Sequence, residues 1–98
     1  MIVLSAVEGF EWDDGNALKS AIKHGVTRSE VEQVFVNEPL LLLEDAGHSI
    51  AERRIHAFGV SHEGRHLHVS FTLRNSDTLI RVISARPMSR KERLRYGA

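Results

Sequence analysis

The sequence predicts an α+β fold in which two helices pack on a four-stranded antiparallel sheet, with a strand before them and a short helix after them. Three observations predict it: helical spacing of apolar residues in the first half, strand-like runs after residue 40, and short turns between those runs. With 98 residues, 42% of them hydrophobic and 27% charged, the chain fits one folded domain, predicted over residues 1–98.

The chain is expected to begin with a strand and a helix. Residues 1–7 are apolar, lack a preceding positive charge and meet Glu8 too soon for a signal peptide or a membrane span, so they are predicted to form a strand. Residues 13–24 place apolar side chains three and four positions apart, which indicates a helix. Gly25 follows as a suitable helix stop.

Two capping boxes mark the starts of the other helices. Thr27 and Glu30 have the spacing at which each side chain caps the backbone of the other, and Pro39 ends the helix that they begin. Ser89 and Glu92 repeat the pattern and open a short basic helix near the end of the chain.

Four later runs are predicted to form the sheet, at residues 40–44, 53–61, 66–73 and 78–86. Short turns separate these runs, and strands that are joined by a short turn pair antiparallel. In the third run, alternation directs Leu67, Val69, Phe71 and Leu73 toward the core. The even-numbered side chains, from His66 to Arg74, are directed to the other face of the sheet. Arg81 and Arg86 should point to opposite faces if the fourth strand is regular.

The two halves of the chain carry opposite charge, although the formal net charge is +0. Residues 1–52 hold three basic and ten acidic side chains, and residues 53–98 hold ten basic and three acidic ones. Such asymmetry indicates nucleic-acid binding, while the alternative is that both sets only solvate the surface. The absence of cysteine excludes disulfides and thiolate chemistry and fits a reducing compartment, so we expect a cytoplasmic protein that is not bound to a membrane.

Recognisable motifs occur over nearly the whole chain. The first half carries Glu11-Trp12-Asp13, Asn16, Lys23-His24-Gly25-Val26, Glu30, Val34-Phe35 and Pro39. The second half carries Glu52-Arg53, Gly59, Phe71-Thr72, Arg74, the run from Ile80 to Arg86, Ser89-Arg90-Lys91-Glu92-Arg93 and Tyr96. The strand ending Ile-Ser-Ala-Arg, followed closely by Arg-Lys-Glu-Arg, is the most specific of these combinations. Together these motifs resemble the BrnT family of toxins.

This resemblance implies a ribonuclease toxin of a type II toxin-antitoxin system, with a fold similar to the RelE ribonucleases. Such a toxin acts on RNA, inhibits translation and growth, and is neutralised by a co-expressed antitoxin called BrnA. The antitoxin carries a ribbon-helix-helix type DNA-binding part, so the toxin meets DNA only through its partner. The family implies no cofactor.

Cleaving RNA without a metal requires a base for the 2′-hydroxyl, stabilisation of the developing phosphate charge and a proton for the leaving oxygen. Arginine suits the second role, because its planar fork binds phosphate oxygens through two hydrogen bonds. Arg74 and Arg86 match basic positions of the family and are our catalytic candidates. Hairpin geometry separates them, which favours a groove along the sheet over one shared pocket. The alternative is that each arginine forms salt bridges to the acidic helices.

Glu52 and His24 are the candidates for the base, because an imidazole, or a carboxyl group with a raised pKa, exchanges protons near neutrality. Each also has a structural alternative: Glu52 pairs with Arg54, and His24 with Lys23 stabilises the end of a helix. The side chains expected to bind RNA are Lys23, Arg54, His68 and Arg81.

A metal site has little support in the sequence. His66 and His68 share a strand face, but no carboxylate or cysteine lies at a supporting spacing, so we expect no metal and no cofactor. A second hypothesis is a decayed, non-catalytic toxin. Its positive sheet would bind RNA or an acidic antitoxin segment without cleavage.

Overall fold

The structure is a computed structural model that describes residue 2, residues 4–48 and residues 52–97. Its strands are β1 (Gly9–Phe10), β2 (Leu41–Glu44), β3 (Arg54–Val60), β4 (His66–Arg74) and β5 (Leu79–Pro87). Its helices are α1 (Asp14–His24), α2 (Arg28–Val36) and α3 (Arg90–Tyr96), with a 3-10 turn at Ala46–His48. In the described part of the chain, no helix has the length and apolar character needed to cross a membrane.

Local sequence signals set the starts of α2 and α3. The Thr27 side chain accepts a hydrogen bond from the Glu30 amide, and the Glu30 side chain accepts one from the Thr27 amide. Ser89 and Glu92 make the same reciprocal pair at the start of α3. Both predicted capping boxes are therefore confirmed.

The sheet has five strands in the order β1-β5-β4-β3-β2. Strands β2 to β5 pair antiparallel with their neighbours in sequence, as the short turns predict. β1 lies parallel to β5, with Gly9 opposite Leu79. The predicted four-stranded, wholly antiparallel sheet is therefore wrong at this edge. The helices carry the chain from β1 to β2 at the opposite edge, and the antiparallel strands β2 to β5 then bring it back alongside β1 in the same direction.

The predicted strand at residues 1–7 is also misplaced. Positions 1 and 3 lie outside the described residues, and positions 2 and 4–7 have no strand geometry. The Val7 amide donates to the Leu4 carbonyl at 3.0 Å, which closes a turn, whereas the Glu8 amide bonds to the Thr78 carbonyl at 2.7 Å and starts the pairing with β5. Ile2, Leu4 and Val7 pack against the core.

The hydrophobic core lies between one face of the sheet and helix α2. Val31 and Val34 of α2 are fully buried, as are Leu67, Val69 and Phe71, and Leu73 packs at the edge of this core. A Cβ on Gly59 of β3 would lie 2.9 Å from Cγ1 of Val34, so glycine permits the close approach of α2. The predicted core face of β4 is therefore confirmed.

A β-bulge changes the orientation of the arginines on β5. Ser70 lies opposite Ser84 and Phe71 opposite Val82, so Ile83 is the extra residue. An extra residue reverses the alternation beyond it. Arg81 consequently lies opposite Thr72 and Arg86 opposite His68, on the same face of the sheet. The expectation that these arginines point to opposite sides is overturned, because the strand is not regular.

The third helix lies across the sheet from the other two. Tyr96 packs on Phe58 with ring centroids 4.2 Å apart, and Phe58 stacks on His68 at 4.6 Å. None of the α3 residues is buried. The helices therefore do not share one face of the sheet, and α3 covers one end of the face opposite α1 and α2.

Candidate nucleic-acid interface

The sheet face opposite α1 and α2 carries most of the predicted RNA-contacting side chains, and we call it the polar face. Strand pairing arranges it in three rows across β3, β4 and β5: Arg54, Thr72, Arg81; His56, Ser70, Ser84; and Phe58, His68, Arg86. Neighbours within a row are separated by the strand spacing of about 4.8 Å, and successive rows by about 7 Å. The face is thus basic at both ends and carries an imidazole and hydroxyl groups in the middle.

Arg74 lies at the corner of the polar face beyond Thr72. Its Nε and Nη2 atoms donate to the two oxygens of Glu52 at 2.9 and 2.8 Å, and the Thr72 hydroxyl donates to the same carboxylate at 3.1 Å. These bonds hold Glu52 against the sheet and orient the guanidinium of Arg74. Arg74 and Arg86 are about 20 Å apart along the strand direction, so they do not share one pocket.

Arg81 contacts two carboxylates. It donates to Oε1 of Glu11 at 2.9 Å and to Oδ2 of Asp13 at 2.8 Å. The backbone amide of Asn16, followed by the Arg81 side chain, holds the pKa of Asp13 below its ordinary value. Hydrogen bonding to Asp13 in turn raises the pKa of Arg81, so this guanidinium stays charged.

Arg86 is paired with α3. Its Nη1 and Nη2 atoms donate to the two oxygens of Glu92 at 2.7 and 2.9 Å. These bonds lower the pKa of Glu92 to about 2 and raise that of Arg86. Arg74, Arg81 and Arg86 thus each have a carboxylate partner. The partners are not those of the alternative interpretation, because Glu11, Asp13 and Glu52 lie outside the acidic helices and Glu92 belongs to the basic helix α3. Their side chains remain 40%, 24% and 35% exposed, in that order.

A cluster that sequence reasoning missed lies at the centre of the polar face, formed by Asp45, His56, His68 and Ser70; we call it the His56 cluster. Nε2 of His56 lies 2.8 Å from Oδ2 of Asp45. Nδ1 of His56 lies 2.8 Å from Nε2 of His68 and 3.0 Å from Oγ of Ser70. The short turn between β3 and β4 could have predicted this cluster, because the strand register that it sets places His56 opposite Ser70.

His68 is buried beneath this face rather than exposed on it. Burial, and then the positive charge of Arg86, lowers the pKa of His68 to about 4. Its Nδ1 is buried and has no hydrogen-bond partner among the described residues. The side chain predicted to touch RNA is therefore 8% exposed and neutral at pH 7.

Lys23 and His24 lie away from the polar face, at the end of α1. The side chain of Arg65 donates to the His24 carbonyl at 3.4 Å and to the Gly25 carbonyl at 3.0 Å, which fixes this end of the helix beside the turn between β3 and β4. Because Arg65 also pairs with Glu30, His24 lies beside α2 and not among the arginines of the polar face.

No metal-binding group of three or more His, Asp or Glu side chains occurs within residues 2, 4–48 and 52–97. His66 and His68, considered for a metal site from the sequence, therefore form no such group there. His68 instead places its Nε2 against His56.

The fold and the polar face define the class: a small α+β domain that presents arginines, and a titratable cluster between them, on one side of a sheet. A family model described as "Ribonuclease toxin, BrnT, of type II toxin-antitoxin system" matches residues 12–92, and the chain belongs to this family. The crystal structure of the Brucella abortus ribonuclease toxin BrnT matches with a TM-score of 0.65 and 20% identity, covering 86% of this chain and 100% of that one. At this identity the likeness shows the fold. Among curated protein sequences, none matches the chain.

Proposed function

We propose that this member of the BrnT family cleaves RNA without a metal ion, inhibits translation and growth, and is neutralised by a BrnA-like antitoxin. Family membership supports the ribonuclease and the antitoxin partner. The observation that carries the proposal is that Arg54, Arg81 and Arg86 share the polar face, with Arg74 at its corner. In this proposal residues 1–98 form one toxin domain with a RelE-like fold. The protein acts in the cytoplasm and contacts DNA only through the antitoxin.

The carboxylate partners are compatible with phosphate binding. A guanidinium has five N–H groups, and Arg74 uses two of its nitrogens on Glu52 while Arg81 uses two on Glu11 and Asp13. Ion pairs at exposed positions contribute only about 0 to 1 kcal/mol, so exchanging a carboxylate for a phosphate costs little. In this proposal the carboxylates orient the guanidinium forks in the free protein, and the RNA backbone takes the remaining donors.

The roles divide along the face. Arg54 and Arg81 bind the backbone, and Arg74 and Arg86 bind phosphates toward the two ends and stabilise the charge of the transition state. Glu52 accepts hydrogen bonds from Arg74 and Thr72, which suits a positioning role for Arg74 better than that of the base. Lys23 and His24 lie outside the proposed site.

The test is to incubate the purified protein with single-stranded RNA at low salt in the presence of a chelator. We expect cleavage that Arg81→Ala reduces at least tenfold. Arg65→Ala is the matched control, because Arg65 also forms an ion pair, with Glu30, but on the side of α1 and α2. Tight binding with undamaged RNA would refute catalysis and support the non-catalytic alternative. Cleavage that stops with the chelator would refute metal independence.

The antitoxin and the cellular effect need a second experiment. Induced expression of the chain should arrest growth and protein synthesis, and co-expression of a small DNA-binding protein encoded beside it should restore both. Normal growth with abundant folded protein would contradict the toxin proposal. Arrest that the neighbouring protein does not relieve would contradict the antitoxin part alone.

A further inference from the structure

We propose that His56, oriented by Asp45, is the general base of RNA cleavage and accepts the proton of the attacking ribose 2′-hydroxyl. This inference rests on the proposed ribonuclease activity and identifies the side chain that the sequence left open. The structure disfavours both base candidates named from the sequence, because the Glu52 carboxylate accepts hydrogen bonds from Arg74 and His24 lies at the end of α1.

The position of His56 fits the substrate that the arginines would hold. It lies in the middle row of the polar face, with the row of Arg54 and Arg81 on one side and the row of Arg86 on the other, each about 7 Å away. Its side chain is 25% exposed, so a nucleotide on the face can reach it. Arg54 is two residues from His56 on the same strand, whereas Arg81 and Arg86 lie two strands across, so a phosphate beside Arg54 would place its ribose near this imidazole.

The hydrogen bonds of His56 define its tautomer. An ionised carboxylate only accepts hydrogen bonds, so Nε2 of His56 donates to Asp45 and the lone pair of the neutral ring is on Nδ1. Ser70 Oγ and His68 Nε2 both lie within 3.0 Å of that lone pair. The proposal requires the Ser70 hydroxyl, which belongs to a residue 6% exposed, to turn away from Nδ1 so that the ribose 2′-hydroxyl replaces it there. The carboxylate of Asp45, 14% exposed, then stabilises the imidazolium that forms.

His68 determines which imidazole takes the proton. The two rings lie 4.9 Å apart, so a charge on one opposes a charge on the other. Burial keeps His68 neutral, whereas His56 is more exposed and contacts a carboxylate. The charged and titratable groups around His56 are Asp45 after β2, Arg54 on β3 and His68 on β4, with Arg86 of β5 beyond His68.

The proposed cleavage step uses no reactant other than RNA and water. The bond between O2′ and phosphorus forms as the bond between phosphorus and O5′ breaks, and the 2′ proton moves to Nδ1 of His56. The O5′ atom takes a proton from water, and the imidazolium returns its proton to the resulting hydroxide. The products are a 2′,3′-cyclic phosphate and a 5′-hydroxyl end.

The experiment compares cleavage rates against pH for the full chain and three variants. His56→Ala should cleave about 100-fold more slowly or worse, because a positioned general base contributes about 10² to 10⁴. It should bind RNA with unchanged affinity, regain activity when imidazole is added and lose any rise of the rate with pH that the wild type shows. Asp45→Asn should also cleave more slowly than the wild type, because the imidazolium loses its carboxylate partner. His24→Gln should match the wild type.

The outcomes separate this inference from the function on which it rests. If the wild type cleaves RNA and His56→Ala retains its rate and pH profile, His56 is not the base and the nuclease proposal stands. If His56→Ala is slow but added imidazole restores nothing and RNA affinity falls with it, the role is structural and the inference fails. If the folded wild type cleaves no RNA, both proposals fail.

Discussion

The pKa of His68 predicts that this protein loses stability below neutral pH. The pKa is about 4 in the folded protein, against 6.5 for an ordinary histidine, because burial and the nearby Arg86 disfavour the charged ring. Between these two values the unfolded chain binds a proton that the folded chain does not. The free energy of unfolding is therefore greatest above pH 6.5 and falls as the pH drops toward 4.

The magnitude follows from the two pKa values. Lowering the pH from about 7 to about 5 should cost close to 2 kcal/mol if the full shift applies, and about 1 to 2 kcal/mol once solvent screening near the edge of the sheet is included. Carboxylates titrate lower: Glu92 has a pKa of about 2 against an ordinary 4.5, so its contribution is lost mainly below pH 4.5. The two effects therefore occupy different pH ranges.

The assay is urea denaturation at pH 7, 6 and 5, extrapolated to zero denaturant. His68→Phe retains a ring to stack on Phe58 and removes the titrating nitrogens, so its loss of stability over this range should be smaller by about 1 to 2 kcal/mol. His24→Gln, at the end of α1, should behave as the wild type. Equal losses in the wild type and in His68→Phe would refute the assignment of this pH dependence to the buried imidazole.

Three further predictions concern packing, buried hydrogen bonds and salt. Gly59→Ala should lower the free energy of unfolding by about 1 to 3 kcal/mol in denaturant titrations, because its Cβ would lie 2.9 Å from Val34; an unchanged midpoint would contradict the tight packing. Asn16→Ala should cost about 1 to 3 kcal/mol by the same measurement, because the Asn16 amide donates to the Val82 and Glu11 carbonyls. RNA affinity should fall about 20-fold between about 50 and 200 mM salt if about three phosphates are neutralised, and an affinity independent of salt would argue against binding through arginine.

Much of the fold was predictable because its signals are local. A capping box is complete within four residues, so the starts of α2 and α3 were predicted from sequence alone. The antiparallel order of β2 to β5 follows from turns too short for any other connection. The family resemblance was also evident from the sequence, and the match over residues 12–92 bears it out.

The N-terminal strand was predicted less well. Apolar composition marks residues that avoid water, but it does not say which of them pair with a strand that lies far away in the sequence. Gly9 and Phe10 pair with β5 because the sheet grows from β2 at the far edge and its last strand, β5, ends beside them. This contact joins positions about 70 residues apart, which no local pattern encodes.

By itself, the sequence determined the α+β class, the capped helices, the antiparallel hairpins and the family, because each depends on residues close together in the chain or on the order of motifs. Only the tertiary structure decided which side chains share a surface. The bulge at Ile83 brings Arg81 and Arg86 to one face, and strand register brings His56 to Asp45 and His68. One extra residue in a strand reverses every later side chain, so such a surface depends on pairing that the sequence pattern does not show.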